Sequence, residues 1–129
     1  MASILVVEDE PIVGMQLQES LEGMGYTVPA VIDSGDDVLG AVMLHKPELI
    51  LMDIKLRSFI DGVDAARRLR LICRVPIIFL TAYPSQGSQS RAEKTEPAAY
   101  LIKPISDSEL RKQVELALSG ASKPAFCKD

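Results

Sequence analysis

The chain has 129 residues, 47% of them apolar and 25% charged, with a formal net charge of −4 at pH 7. This length fits one domain with its own core, and the composition is that of an ordinary globular protein. The negative charge argues against a nucleic-acid-binding surface, which would favour a basic face. The two cysteines, Cys73 and Cys127, lack neighbours at the spacing of a zinc site. Without a signal-peptide pattern or an apolar run of roughly 20 residues, we expect a cytoplasmic protein that does not enter the membrane.

The first half of the chain alternates short apolar segments with helical patterns. Its strand candidates, rich in Val, Ile and Leu, are residues 3–7, 27–31 and 48–53. The first helix is predicted to begin at Pro11, because proline suits a first helical position and apolar residues then recur on one face. The second helix is predicted to begin after the capping residue Ser34 and to end before Pro47.

The second half continues the alternation. A third helix is expected from Val63 to Leu69, preceded by helix-start acids at Asp61 and Asp64. Strand candidates follow at residues 76–81 and 98–102, and the last helix begins with a capping box formed by Ser106 and Glu109.

The fourth helix is the weakest prediction. Residues 86–96 read QGSQSRAEKTE, with almost no apolar stripe, and we predict a helix only because a parallel crossover usually needs one. We expect this segment to be mobile. Residues 121–129 show no periodicity and are predicted to form a flexible tail after a domain of residues 1–120.

This alternation predicts an α/β fold, a flavodoxin-like doubly wound (βα)5 sandwich with a parallel five-stranded sheet and helices on both faces. Pro29 cannot donate to a strand ladder, so the second strand belongs at an edge, as in the order 2-1-3-4-5. Such sheets bind ligands beyond the carboxyl ends of strands 1 and 3, where the strand order reverses.

Reactive side chains follow four of the predicted strands at this edge. Glu8 and Asp9 follow the first strand, and Asp53 ends the third. Thr81 ends the fourth, and Lys103 follows the fifth. Clustered carboxylates need a cation or protonation, and oxygen ligands without His or thiolate favour a hard ion such as Mg²⁺. A carboxylate beside Mg²⁺ and an ammonium group can attack a phosphoryl group and form an acyl phosphate.

The runs ILVVED, LILMD, IIFLTA and YLIKP, in this order within residues 3–119, resemble the receiver domains of two-component response regulators. The resemblance implies the fold of the chemotaxis regulators and a role for each matched residue. Asp53 would be the phosphoacceptor, assisted by Lys103 and Thr81. Thr81 and Tyr100 would form the switch pair.

The same resemblance implies a metal site. Mg²⁺, which Mn²⁺ would be able to replace, would be bound by Glu8, Asp9, Asp53 and the backbone carbonyl of Lys55. Ala82 and Pro104 would neighbour the phosphoryl group, with Pro104 joined through a cis peptide bond.

The implied function is a phosphorylation switch. A sensor histidine kinase would donate the phosphoryl group from a phosphohistidine, and the domain would catalyse only its own phosphorylation and dephosphorylation. Its fourth helix, fifth strand and fifth helix would contact an output domain or a separate target, with a homodimer on activation as a further expectation. Lys55 and Tyr83 stand where they would crowd an attacking water, which predicts a slow loss of the phosphoryl group.

The chain departs from the commoner receiver pattern in the segment IKLRSFI between Asp53 and Asp61. This loop is one residue longer than usual and carries Arg57 where a proline is common, so we expect a different loop shape. The fourth helix departs as well, since Glu96 and Pro97 replace the usual Gly–Ala.

Other functions fit the sequence less well. A haloacid-dehalogenase-like phosphatase needs a second Asp where Lys55 stands, and a flavodoxin needs a Ser/Thr/Gly-rich loop where this chain is acidic. Two alternatives stay open, a receiver module of a larger regulator or hybrid kinase and a phosphorylation-independent interaction domain.

Overall fold

A computed structural model describes residues 2–120 of the chain. The strands are β1 (Ile4–Val7), β2 (Val31–Ile32), β3 (Leu49–Asp53), β4 (Ile77–Thr81) and β5 (Ala99–Ile102). The helices are α1 (Pro11–Gly23), α2 (Val38–His45), α3 (Gly62–Arg70), α4 (Gln86–Glu93) and α5 (Asp107–Gly120). A 3₁₀ turn, Gly35–Asp37, leads into α2. The tail predicted for residues 121–129 lies outside the described residues.

The five strands form one parallel sheet in the order β2-β1-β3-β4-β5, which confirms the predicted order. Alternate residues of each strand point to opposite faces of the sheet and pack in two separate hydrophobic cores. Leu5 and Val7 pack with α2, α3 and α4 on one face, whereas Ile4 and Val6 pack with α1 and α5 on the other. Because both faces are covered, β1, β3 and β4 are apolar along almost their whole length. Within residues 2–120, no helix has both the length and the apolar character to cross a membrane.

The second strand is shorter than predicted and shifted toward its carboxyl end. Only Val31 and Ile32 pair with β1 as a strand, while Thr27 makes an isolated bridge to Ser3. Pro29 interrupts the segment between these points because it has no N–H to donate. The prediction of residues 27–31 is therefore wrong in its bounds, but the edge position inferred from Pro29 is confirmed.

The predicted helix ends are mostly present. Ser34 accepts a hydrogen bond from the Asp36 N–H at 3.1 Å, so it caps the 3₁₀ turn rather than α2 itself. At the start of α5, Ser106 accepts the Glu109 N–H at 3.1 Å. The Glu109 carboxylate accepts instead from Gln113 at 3.0 Å, so the structure shows the Ser106 half of the predicted capping box.

The polar fourth helix is present as α4. Ser85 caps it, accepting the Ser88 N–H at 3.1 Å, and Ala92 is its buried residue. After the helix, Glu96 has a φ of 56°, a left-handed conformation that is uncommon for a residue with a side chain.

Candidate functional site

Three strand ends bring Glu8, Asp53 and Lys103 into direct contact. The register between β1 and β3 pairs Val7 with Met52, so the residues that follow each of them, Glu8 and Asp53, come side by side. Lys103 Nζ donates to Glu8 Oε1 at 2.6 Å and to Asp53 Oδ2 at 3.3 Å. The side chains of Glu8 and Asp53 are 0% and 8% exposed. One ammonium group therefore serves two buried carboxylates.

Asp9 joins these two carboxylates in a cluster that suits a cation. One oxygen each from Glu8, Asp9 and Asp53 lies within 4.8 Å of the others. Lys103 offsets only one of the three negative charges, and an all-oxygen donor set matches a hard ion such as Mg²⁺. Lys55, predicted to add its backbone carbonyl, lies beside the cluster, because its N–H donates to Asp53 Oδ1 at 3.3 Å. The residues present fit the predicted ion.

The charge on Asp53 is finely balanced. The pKa of Asp53 is raised from 3.8 to about 7, mainly because the carboxyl is buried. The neighbouring Glu8 raises this pKa further, whereas Lys103 lowers it. Burial alone would lower the pKa of Lys103, but its contacts with Glu8 and Asp53 outweigh this and raise it. Lys103 therefore stays charged, while the carboxyl of Asp53 shifts toward its neutral form unless another cation is bound.

The remaining predicted neighbours of the phosphoryl site lie at the same edge of the sheet. Thr81 is 1% exposed, and its Oγ1 accepts the Tyr83 N–H at 3.1 Å through a lone pair, without using its proton. The Thr81 carbonyl accepts the Lys103 N–H at 2.8 Å. The peptide bond between Lys103 and Pro104 is cis, as expected. Ala82 and Pro104 line a cleft of about 580 Å³ between α1 and α5.

Tyr100, the predicted switch aromatic, lies on β5 opposite Phe79 of β4. Its side chain is partly buried against the core under α4. The Tyr100 hydroxyl lies 3.4 Å from Ser88 Oγ of α4. The structure thus connects Tyr100 to α4, and its coupling to Thr81 stays a prediction.

The loop after β3 makes contacts that the sequence did not reveal. The Arg57 N–H donates to Asp9 Oδ2 at 2.8 Å, and Arg57 Nε lies 3.5 Å from the same oxygen. Ser58 Oγ accepts the Gly35 N–H at 2.8 Å. The longer loop is therefore held against the loops that follow β1 and β2. In the sequence, Arg57 stood out because proline is common at its position, but this did not indicate that Asp9 would be its partner.

Gly62 is required by the close approach of α3 to β3. Its N–H donates to the Ile54 carbonyl at 2.8 Å. A Cβ at this position would lie 2.1 Å from the Asp53 carbonyl oxygen. Any larger residue would therefore push against the backbone that carries the Asp53 carboxylate.

The start of α3 is tied to α4 by a charge network. Asp61 and Asp64 form a capping box, which confirms them as helix-start acids. Arg91 of α4 donates to Asp61 at 3.1 Å and to Asp64 at 3.0 Å. Burial of Asp61 would raise its pKa, but the Asp64 N–H and Arg91 outweigh it, so the pKa is lowered. Sequence reasoning missed Arg91, because its helix carried no stripe that indicated its orientation.

The strand order is that of a flavodoxin-like α/β domain. The carboxylates and the lysine lie at the carboxyl ends of β1 and β3, where the strand order reverses, so the class of protein is a flavodoxin-like domain with an acidic site at this edge. The family follows from sequence comparison. The model of the response regulator receiver domain matches residues 4–115, and the chain belongs to this family. It is a receiver domain of two-component response regulators, as the resemblance implied.

Known proteins agree with this assignment. The chain is 37% identical over 116 residues to the transcriptional regulatory protein PdtaR of Mycobacterium tuberculosis, covering 90% of this chain and 56% of that protein. The signal receiver domain of a modulated diguanylate cyclase from Desulfovibrio desulfuricans matches with a TM-score of 0.87 at 33% identity, covering 93% and 95% of the two chains.

A third comparison concerns the receiver domain of a sensor histidine kinase from Pseudomonas aeruginosa, described with a magnesium ion coordinated in its active-site cleft. It matches with a TM-score of 0.83 at 30% identity, covering 92% of this chain and 98% of that one. The chain spans about half the length of the curated relatives it matches, 56% in one and 43% in another.

Proposed function

We propose that this domain accepts a phosphoryl group on Asp53 from the phosphohistidine of a sensor histidine kinase. Glu8, Asp9, Asp53 and the Lys55 carbonyl would bind the Mg²⁺ that this reaction needs. One observation carries the proposal, namely that Lys103 Nζ bridges Glu8 and Asp53, at 2.6 and 3.3 Å, beside a third carboxylate. The magnesium ion described in a related receiver supports the choice of ion.

Each residue has a defined part in the transfer. An oxygen of Asp53 attacks phosphorus, the P–N bond of the donor breaks, and its electron pair leaves with the imidazole, so that an acyl phosphate forms. The Lys55 N–H, 3.3 Å from Asp53 Oδ1, orients the carboxylate. Lys103 can turn from Asp53 to a phosphoryl oxygen, and Thr81 can donate its hydroxyl proton to another. When bound, Mg²⁺ would neutralise the carboxylates and the equatorial oxygens of the phosphoryl group.

The proposed output follows from what these residues touch. If Thr81 turns toward the phosphoryl group, the space behind it opens for Tyr100, whose hydroxyl now lies 3.4 Å from Ser88. Movement of Tyr100 would therefore change the surface formed by α4, β5 and α5. Ile102 and Leu116 are 55% and 56% exposed on β5 and α5, and they give this surface an apolar part. Phosphorylation would shift an existing equilibrium between two forms of the surface.

The proposed partners are a sensor histidine kinase and an output domain or separate target, without direct contact to nucleic acid or membrane. A homodimer through the α4–β5–α5 surface on activation is part of the proposal. The curated relatives are longer than this chain, which supports the proposal that the receiver acts together with an output domain. We place the receiver in residues 1–120, with residues 121–129 as a tail, in a protein of the cytoplasm.

The experiment is intact-mass measurement after incubation with acetyl phosphate, in Mg²⁺ or in chelator, on the wild type and Asp53→Asn. We expect a single phosphoryl adduct that requires Mg²⁺ and is lost in the variant. No adduct in a folded protein that binds Mg²⁺ would indicate that the domain accepts phosphoryl groups only from its own kinase. Absence of both adduct and Mg²⁺ binding would favour a phosphorylation-independent interaction domain.

A further inference from the structure

We infer that the Arg57 side chain sets the cation affinity of this site by competing with Mg²⁺ for Asp9. Arg57 Nε lies 3.5 Å from Asp9 Oδ2, and the Arg57 N–H donates to the same oxygen at 2.8 Å. The side chain is thus a second positive charge at the cluster, tethered in the loop after β3. The inference rests on the proposed Mg²⁺ site.

The two cations at the cluster differ in how easily they can leave. The side chain of Lys103 is 16% exposed and bridges Glu8 and Asp53, so removing it would leave buried charges without a partner. The side chain of Arg57 is 78% exposed, whereas that of Asp9 is only 9% exposed. Arg57 can therefore swing into water at little cost when a divalent ion takes its place. It acts as a replaceable counter-ion, whereas Lys103 does not.

The backbone contact of Arg57 has a separate role. The N–H holds Asp9 at 2.8 Å whatever side chain residue 57 carries, unless that residue is proline. Ser58 independently anchors the loop, because its Oγ accepts the Gly35 N–H at 2.8 Å and donates to the Ile60 carbonyl at 2.7 Å. A change limited to the Arg57 side chain should therefore leave the fold and the position of Asp9 intact, and isolate the competition.

Three variants separate this contact from general electrostatics. Arg57→Gln removes the charge and should tighten Mg²⁺ binding about two- to fivefold at low salt, the range that an exposed ion pair allows. Arg57→Lys keeps the charge and should stay close to the wild type. Arg68→Gln removes the same charge from an exposed position on α3, outside the cluster, and serves as the matched control.

The test is calorimetric titration of the full 129-residue chain with MgCl₂, for the wild type and the three variants. Tighter binding in Arg57→Gln alone, with a difference that shrinks as KCl is added, supports the inference. Equal affinity in all four proteins, or an equal gain in Arg68→Gln, overturns it while the proposed function stands. If the folded wild type binds no Mg²⁺, the proposed metal site itself fails, and the inference fails with it.

Discussion

Asp53 is buried next to another carboxylate, Glu8, and the ammonium group of Lys103 contacts both of them. Lys103 Nζ lies 2.6 Å from Glu8 but 3.3 Å from Asp53, so Glu8 holds the shorter contact. A carboxylate in this position is stabilised by a further cation, and without one its protonated form is favoured. The same burial that disfavours its carboxylate in the metal-free domain would make the carboxylate a stronger partner for a bound cation.

This environment predicts a pH-dependent stability. In chelator, the wild type should lose stability as the pH rises from about 4 to about 8, by up to roughly 4 kcal/mol from Asp53 alone. The reason is that the unfolded carboxyl loses its proton near its ordinary pKa of 3.8, while the folded one keeps it up to about 7. The folded state then binds more protons, so its stability falls through this window.

Urea unfolding in chelator at about pH 5 and about pH 8 measures the effect. Asp53→Asn should remove this part of the pH dependence and should be more stable than the wild type at the higher pH. Comparison of the two proteins cancels the groups that titrate in both. Parallel pH profiles for the wild type and Asp53→Asn would show that burial does not penalise the ionised Asp53 carboxylate.

Lys55 and Tyr83 should slow the loss of the phosphoryl group. Lys55 follows Asp53 by two positions, and Tyr83 follows Thr81 by two positions. Lys55 Nζ lies 5.8 Å from the centre of the Tyr83 ring, so the two side chains lie close together. Together they would restrict the approach of water to the acyl phosphate. The double variant Lys55→Asn, Tyr83→Ala should lose its adduct several-fold faster in a time course of intact mass. An unchanged lifetime would contradict this role.

At the scale of elements, the junction between β3 and α3 positions the phosphoacceptor. Gly62→Ala should destabilise the domain by about 1–3 kcal/mol, because the new Cβ would lie 2.1 Å from the Asp53 carbonyl oxygen. Gly40→Ala, in α2, is the matched control, because a Cβ there meets nothing within 4 Å. It should stabilise the helix by about 0.5–1 kcal/mol. Thermal unfolding of both variants would test the prediction, and equal behaviour would contradict it.

The fourth helix should be less stable locally than the fifth. Ala92 is its buried residue, while α5 buries three. We expect hydrogen exchange to show weaker amide protection across residues 88–93 than in α5. Gly87→Ala should raise that protection, since its Cβ would meet nothing within 4 Å. Full protection across the segment in the wild type would mean that the contacts of Arg91 with the start of α3 hold the helix rigid.

Across the whole molecule, local patterns were enough to predict the architecture. The apolar strands required helices on both faces, and Pro29 required an edge for β2. Those two inferences placed Glu8, Asp9, Asp53 and Lys103 at one edge, where the structure brings them together. The bounds of β2 could not be predicted in this way, because strand pairing can resume after a proline, as it does here at Val31 after Pro29.

The ion pairs that complete the site could not be predicted in the same way. Arg57 meets Asp9 from 48 residues away, and Arg91 meets Asp61 from 30 residues away. Neither pair has a periodic signal, since each depends on how a loop or a polar helix lies on the finished fold. Gly62 stood in the sequence beside Asp61, but only the packed structure shows that it faces the Asp53 carbonyl.

The most direct test of the central claim is to locate the phosphoryl group by reducing it. Borohydride converts an aspartyl phosphate to homoserine, which peptide mass spectrometry can assign to one position after labelling with acetyl phosphate and Mg²⁺. We predict homoserine at residue 53 and at no other acid of the cluster. Homoserine at Asp9, or hydroxynorvaline (the reduction product of a glutamyl phosphate) at Glu8, would contradict Asp53 as the phosphoacceptor. A stable adduct that borohydride does not reduce would contradict it as well.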